Sequence, residues 1–109
     1  MIKRIDYNPS TFKYDGTVDG YAVHSGMTYA DTEIALDRYI ERDKLQYAWY
    51  DADIAWFTEL QRVYGASAGT ARYDSRGEAT VELVALKHAM LVACIAYQEY
   101  KASLYAMMY

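Results

Sequence analysis

Asp53 is the residue whose type and position best suit chemistry, because it stands among aromatic side chains in LQYAWYDADIAWF, the stretch 45–57. At about 100° per residue on a helix, Asp53 projects between Trp49 and Trp56 rather than onto the polar side. A carboxylate buried there without a partner costs several kcal/mol or takes up a proton. The expected solution is a tyrosine hydroxyl or an arginine from elsewhere in the chain. The alternatives are a functional carboxylate in an aromatic pocket, or a helix break that returns Asp53 to solvent.

The other candidate groups do not combine into a catalytic or metal site. His88 is typical of a core or interface histidine, and the chain has no His-x-x-x-His, Glu-x-x-His or Cys-x-x-Cys spacing. Cys94 lies six residues from His88, so a helix places the two on different sides. The segment that begins at Asp15 resembles a calcium loop, but its twelfth position is Gly26 instead of an acidic residue. We therefore predict no cofactor, no metal and no enzymatic activity.

The glycine-rich segment 65–70 raises the question of phosphate binding. It follows a predicted helix and lacks the Gly-Lys-Ser/Thr ending of a phosphate loop, since Thr70 follows Gly69 directly. Arg72 and Arg76 are placed to meet an anion at the start of the next helix. A solvated turn is the favoured interpretation.

Composition and charge restrict the class of protein. The 109 residues suit one domain, and 53% apolar with 24% charged residues is typical of a folded chain. A net charge of −4, with 11 basic residues spread along the chain, argues against nucleic-acid binding. A single cysteine fits a reducing compartment. The first residues lack the apolar region of a secretion signal, and the longest apolar run, 89–97, is about half of the roughly 20 residues that a membrane span needs. We predict a cytoplasmic protein without membrane contact.

The positioning elements follow from turn and capping signals. Residues 1–30 hold the only proline and two Asp-Gly pairs, Asp15-Gly16 and Asp19-Gly20, which predict a small β-hairpin or irregular cap. Capping residues at Thr28 and Asp31 precede a stretch without Gly or Pro, which predicts a helix over 31–64. A single phase fits this helix, and a break between residues 43 and 53 is the alternative.

A second helix is predicted over 78–108, after a loop over 65–77. Ser75 and Glu78 have the spacing of a capping box. The helix is apolar on every side between Leu83 and Tyr97, which is typical of a helix surrounded by protein. The predicted fold is therefore mainly α with a minor β part: one domain built as a long antiparallel helical hairpin with an N-terminal cap.

Such a hairpin has too few layers to cover its own apolar surface. A homodimer that forms a helical bundle is the simplest completion, and a different protein partner is the competing one. Thirteen tyrosines favour interfaces over dry cores, because the ring gives contact area and the hydroxyl stays wet. The predicted partner-binding residues are Tyr7, Tyr14, Tyr21, Tyr29, Trp49, Asp53, Trp56, Tyr105 and Met108.

Three functions are compatible with these features. The preferred one is a non-catalytic protein–protein interaction module, in the form of a small phage- or mobile-element-encoded inhibitor that blocks a macromolecular surface. The first alternative is a structural or assembly subunit of the virion type, which uses the same surfaces for self-association. The second is a small ligand-binding bundle or enzyme that uses Asp53.

Overall fold

A small antiparallel sheet precedes two long helices in the computed structural model, which describes residues 1–108 and the side chains of residues 1–106. The strands are β1 (Lys3–Asn8), β2 (Lys13–Val18) and β3 (Tyr21–Gly26), and they pair in that order. The long helices are α1 (Tyr29–Tyr64) and α3 (Val81–Met108). Between them lie two 3-10 turns (Gly65–Ser67 and Ser75–Glu78) and the short helix α2 (Ala68–Ala71). The predicted mainly helical class is confirmed, and the predicted cap is a three-stranded sheet.

One of the two predicted Asp-Gly turns is wrong. Asp19 and Gly20 do form the β2–β3 turn, with φ of 52° and 84°. Gly16, however, lies inside β2, where a Cβ would stand 2.7 Å from the Thr32 Cγ2 atom of α1. The glycine is needed there because the helix comes close to the strand, and this requirement has no local sequence signal. The β1–β2 turn instead uses residues 9–12, with Phe12 at a φ of 58°.

The described chain divides into two compact units, Met1–Lys44 and the part from Leu45 onward. In the first unit, Val18 and Leu36 are buried between the sheet and the start of α1. Thr32 is fully buried beside them, and its hydroxyl donates to the Thr28 carbonyl at 3.0 Å. Lys3 pairs with Asp37 at 2.6 Å at the edge of this unit. The prediction of a single domain stays a prediction.

The second unit is a helical hairpin with one apolar core. The buried core residues come from α1, α2 and α3, and they are Trp56, Leu60, Ala68, Ala71, Leu83 and Met90. Among the side chains of α3 that the structure describes, the buried ones are Leu83, Met90 and Tyr97, which lie seven residues apart. On α1, Trp56 and Leu60 are buried, whereas Tyr47, Tyr50 and Ile54 are exposed. Only part of the broad predicted arc of α1 is therefore covered.

The helix ends agree with the sequence at one position and differ at another. Thr28 caps α1, since its hydroxyl accepts from the Asp31 N–H at 3.1 Å, and α1 continues through residues 43–53 without a break. The predicted capping box at Ser75 is wrong. Residues 75–78 form a separate 3-10 turn, and Thr80 caps α3 by accepting from the Leu83 N–H at 3.1 Å. The predicted loop 65–77 is thus largely wound into short helical turns.

Candidate protein-binding surface

Asp53 pairs with an arginine, as one of the sequence interpretations expects. The Arg72 guanidinium donates to the Asp53 carboxylate at 2.6 Å, and the side chains are 22% and 32% exposed, respectively. The same guanidinium lies 5.1 Å from the Trp56 ring centroid and 5.5 Å from that of Phe57. A planar cation held between a carboxylate and aromatic faces is a stable structural arrangement. The pair ties α1 to the segment that follows α2.

Arg76, the other candidate for anion binding, is also paired within the chain. It meets Asp74 through two side-chain nitrogens, and the closer contact is 2.8 Å. The hydrogen bond from Arg76 lowers the pKa of Asp74 below its ordinary value. Both arginines therefore already pair with carboxylates of the same chain, and the segment that carries them is partly buried rather than an open solvated turn.

The two tryptophans pack within the second unit. Trp56 is buried, and its indole N–H donates to the Gly77 carbonyl at 3.1 Å. Trp49 is half-buried, with its ring centroid 5.6 Å from that of Tyr97. These contacts account for the two tryptophans of LQYAWYDADIAWF, whereas Tyr47 and Tyr50 of the same stretch stay exposed. The assignment of Trp49, Asp53 and Trp56 to a partner surface stays a prediction, and Trp56 has almost no free surface to offer.

Three of the four N-terminal tyrosines form one cluster. Tyr7 and Tyr14 are cross-strand neighbours with ring centroids 5.2 Å apart, and Tyr29 meets the Tyr14 ring edge-on at 6.1 Å. Tyr7 and Tyr29 are exposed, and Tyr14 is half-buried. Tyr21 lies at the start of β3, paired with Val18, and is 75% exposed. The cluster gives the first unit a small aromatic surface, with Tyr21 at a separate place.

A shallow cleft beside β2 and β3 contains the carboxylate of Asp15. Asp15 accepts hydrogen bonds from the Ser25 hydroxyl at 2.5 Å and the Asn8 amide at 3.0 Å, which lower the pKa of its carboxyl. His24 lines the same cleft. Among the residues that the structure describes, no group of three or more His, Cys, Asp or Glu side chains is placed to hold a metal ion. The cleft therefore offers a satisfied carboxylate without a metal-binding set.

An exposed, mostly apolar surface lies along α3. We call it the outer face of α3, and it consists of Val84, His88, Leu91, Ile95, Gln98 and Ala102, all of them exposed. Val84, Leu91 and Ile95 are 48%, 44% and 54% exposed. Val81 and Tyr105 continue the same spacing at its ends and are also exposed. Met108 is the last residue of α3, and its side chain lies outside the described part of the chain. The all-round apolar pattern of the sequence predicts this surface in general, although not which residues form it.

The apolar character of α3 bears on localisation. Over Val81–Ala106 it is long and apolar enough to cross a membrane. Its 18-residue apolar window has a mean hydropathy of 1.4, and 11% of that window is buried inside the protein. A core helix can pass the same test, but α3 is mostly not covered. The predicted cytoplasmic location therefore receives no clear support from the structure.

Comparison of the chain with protein-family models, with curated proteins and with solved structures finds no match. The function is therefore inferred from the geometry of the described residues alone.

Proposed function

We propose that this protein is a non-catalytic protein–protein interaction module that binds through the outer face of α3. The observation that carries the proposal is the exposure of this face, which places Val84, Leu91 and Ile95 in water on a regular helix. Contiguous exposed apolar surface on a soluble domain marks an interaction site more often than a structural feature.

The shape and charge of the outer face favour a helix of another protein chain as its partner. Its positions are separated by alternating steps of three or four residues, which is the spacing that packs into a facing helix. None of its six residues carries a formal charge at neutral pH when His88 is neutral. A nucleic acid or a strongly charged surface would gain little from such a face. Burial of apolar side chains would supply most of the binding free energy.

The proposed biological role is to occupy a surface on another macromolecule, as a small phage- or mobile-element-encoded inhibitor does. The exposed rings of Tyr7 and Tyr29 provide a second contact area, since tyrosine is well suited to interfaces. The alternative role of Asp53 in ligand binding is less well supported, because Arg72 already occupies its carboxylate. An assembly subunit would use the same outer face and differ in forming species larger than a dimer.

The test compares stoichiometric binding by two matched variants. Leu91→Glu places a charge on the outer face, whereas Met27→Glu places the same charge at an exposed apolar residue of the first unit. Each protein is purified from its native source, and the mass of the native species is measured by light scattering. We expect a stoichiometric complex, with itself or another chain, for the wild type and Met27→Glu, and its loss for Leu91→Glu. A strictly monomeric wild type without a bound partner would overturn the proposal.

A further inference from the structure

The helix α3 carries two apolar seams, and only one of them is covered. Leu83, Met90 and Tyr97 form the inner seam and pack in the hairpin core. The outer face runs parallel to it, from Val84 to Ala102, with the three-four spacing of a heptad repeat. A second helix is the element that such a seam accommodates, because each side chain enters a hole between four residues of the facing helix.

We propose that the outer face of α3 is covered by the outer face of α3 from a second copy of this chain, running antiparallel. A two-fold axis passes near Ala93. Each residue of one copy therefore faces the residue of the other copy that lies the same number of positions from Ala93 in the opposite direction. This inference rests on the proposed function and names the partner. The result is an assembly of four helices, because each chain contributes α3 and the part of α1 that packs against it.

The polar residues of the outer face select this register. With the axis near Ala93, the facing pairs match in character throughout. They are Val84 with Ala102, His88 with Gln98, and Leu91 with Ile95, followed at the ends by Val81 with Tyr105. The two polar residues, His88 and Gln98, meet and can share a hydrogen bond, so neither is buried without a partner. If the two helices shift by one heptad relative to each other, His88 faces Leu91 or Gln98 faces Ile95, depending on the direction. Each of these registers places a polar side chain against an apolar one.

Charge and helix direction support a second copy over other occupants. The outer face is uncharged, so a partner with an uncharged surface fits it best. The outer face of a second α3 is such a surface. In the antiparallel arrangement, the positive N-terminal end of each α3 lies beside the negative C-terminal end of its partner. A parallel pair would place like ends together and set Tyr105 against Tyr105.

A lipid bilayer is the competing occupant, since α3 is long and apolar enough to span one. The inner seam of α3, however, packs on the part of α1 that carries Asp51 and Arg62, both exposed. A membrane that surrounded α3 would therefore also meet these charges unless the hairpin core opened. Charged side chains in the hydrocarbon region are strongly disfavoured. A second protein chain, by contrast, can cover the outer face of α3 while the hairpin core stays closed.

The register is tested by a charge-swap cycle on the full chain. Val84→Glu and Ala102→Lys each place an unpaired charge in the seam, twice per dimer, and the double variant pairs them across the two-fold axis. We expect the dissociation constant, measured by sedimentation, to rise about 100-fold in each single variant and to recover at least about tenfold in the double variant. Residues 84 and 102 are about 27 Å apart along one helix, so no pairing within a chain can explain recovery. Circular dichroism confirms that each variant keeps its helices.

Disulfide trapping in a Cys94→Ser background gives an independent measurement. A mixture of Val84→Cys and Ala102→Cys chains should form mixed disulfide dimers on mild oxidation. Val84→Cys alone should not cross-link, because the two copies of residue 84 lie at opposite ends of the interface.

The outcomes separate this inference from the proposed function. A dimer with recovery in the double variant supports both. A dimer in which Val84→Cys cross-links to itself overturns the antiparallel register and leaves the interaction module standing. A monomer that holds a different protein in stoichiometric amount, lost on Val84→Glu, overturns the second copy alone. A chain that binds no protein and floats with phosphatidylcholine vesicles overturns both.

Discussion

The pair between Asp53 and Arg72 gives the sharpest test of the structure, because its contribution to stability can be worked out from its contacts. Its nitrogen–oxygen distance is 2.6 Å, and both side chains keep part of their surface in water. A hydrogen bond between charged groups contributes about 1.5–3 kcal/mol when it is well formed. Solvent screening reduces this, so we expect a pair energy of about 1–1.5 kcal/mol. Arg72 adds contacts with aromatic rings, about 0.5–1 kcal/mol in a half-exposed place.

The experiment is a double-mutant cycle of Asp53→Ala and Arg72→Ala, followed by urea unfolding with tryptophan fluorescence. We expect free energies of unfolding lower by about 1–1.5 kcal/mol for Asp53→Ala, relative to Asp51→Ala, and by about 1.5–2.5 kcal/mol for Arg72→Ala, with a coupling of about 1 kcal/mol. Asp51→Ala is the matched control, because Asp51 is exposed two residues earlier on the same helix. It reports the gain in helix propensity, which is up to about 0.7 kcal/mol.

A coupling near zero, with Asp53→Ala no worse than Asp51→Ala, would show that the pair does not form in solution. The sequence alternative of a functional carboxylate makes a different prediction: Asp53→Asn would then remove binding of a ligand while the thermal midpoint stays unchanged.

Three further predictions concern other parts of the fold. Gly16→Ala should lower the free energy of unfolding by about 1–3 kcal/mol, because the added methyl group overpacks against α1. Gly69→Ala is the control, since a Cβ at Gly69 meets nothing within 4 Å. The unfolding free energies of both variants are measured by far-UV circular dichroism in urea. Thr80→Ala should cost about 1 kcal/mol by removing the cap of α3, measured in the same way, and no change would disprove the capping role. The hydrogen bond from Ser25 lowers the pKa of Asp15 in the folded state, so this carboxylate stabilises the fold above its ordinary pKa of 3.8 and the stabilisation is lost as the pH falls below that value. Asp15→Asn should therefore reduce the loss of unfolding free energy on the acid side in a pH titration of stability. An unchanged slope would contradict the hydrogen bonds to Asp15.

The sequence predicts the helical elements well because their signals are local. The absence of Gly and Pro between Thr28 and Gly65 predicts one helix, and the structure has it, ending where Gly65 adopts a φ of 57°. Periodicity alone could not decide which half of the wide apolar arc would be buried. Trp56 and Tyr50 both lie within that arc, yet one is buried and the other is exposed. The choice depends on where α3 packs, which is a tertiary fact.

The wrong expectations share a cause in contacts between distant residues. The pair Asp15-Gly16 predicts a turn, but Gly16 is required because α1 packs closely against it at Thr32, sixteen residues later in the chain. Ser75 and Glu78 have the spacing of a cap, but the turn they form presents the Gly77 carbonyl to Trp56. The need of Asp53 for a partner, either a tyrosine hydroxyl or an arginine, was predictable from chemistry. That Arg72 would meet it could not be predicted, because the connection between the helices was expected to be an open loop.

The positions of the tryptophans decide what intrinsic fluorescence can report about this protein. Trp49 and Trp56 both belong to the unit that begins at Leu45, and the first unit contains tyrosines and Phe12 but no tryptophan. Tryptophan emission therefore follows the loosening of the hairpin core and is silent about the sheet. The difference in emission between a Tyr7→Trp variant and the wild type can supply the missing signal, because Tyr7 lies on β1 beside Tyr14. If the two signals change at different urea concentrations, α1 transmits little cooperativity from one end to the other, and the chain unfolds in steps.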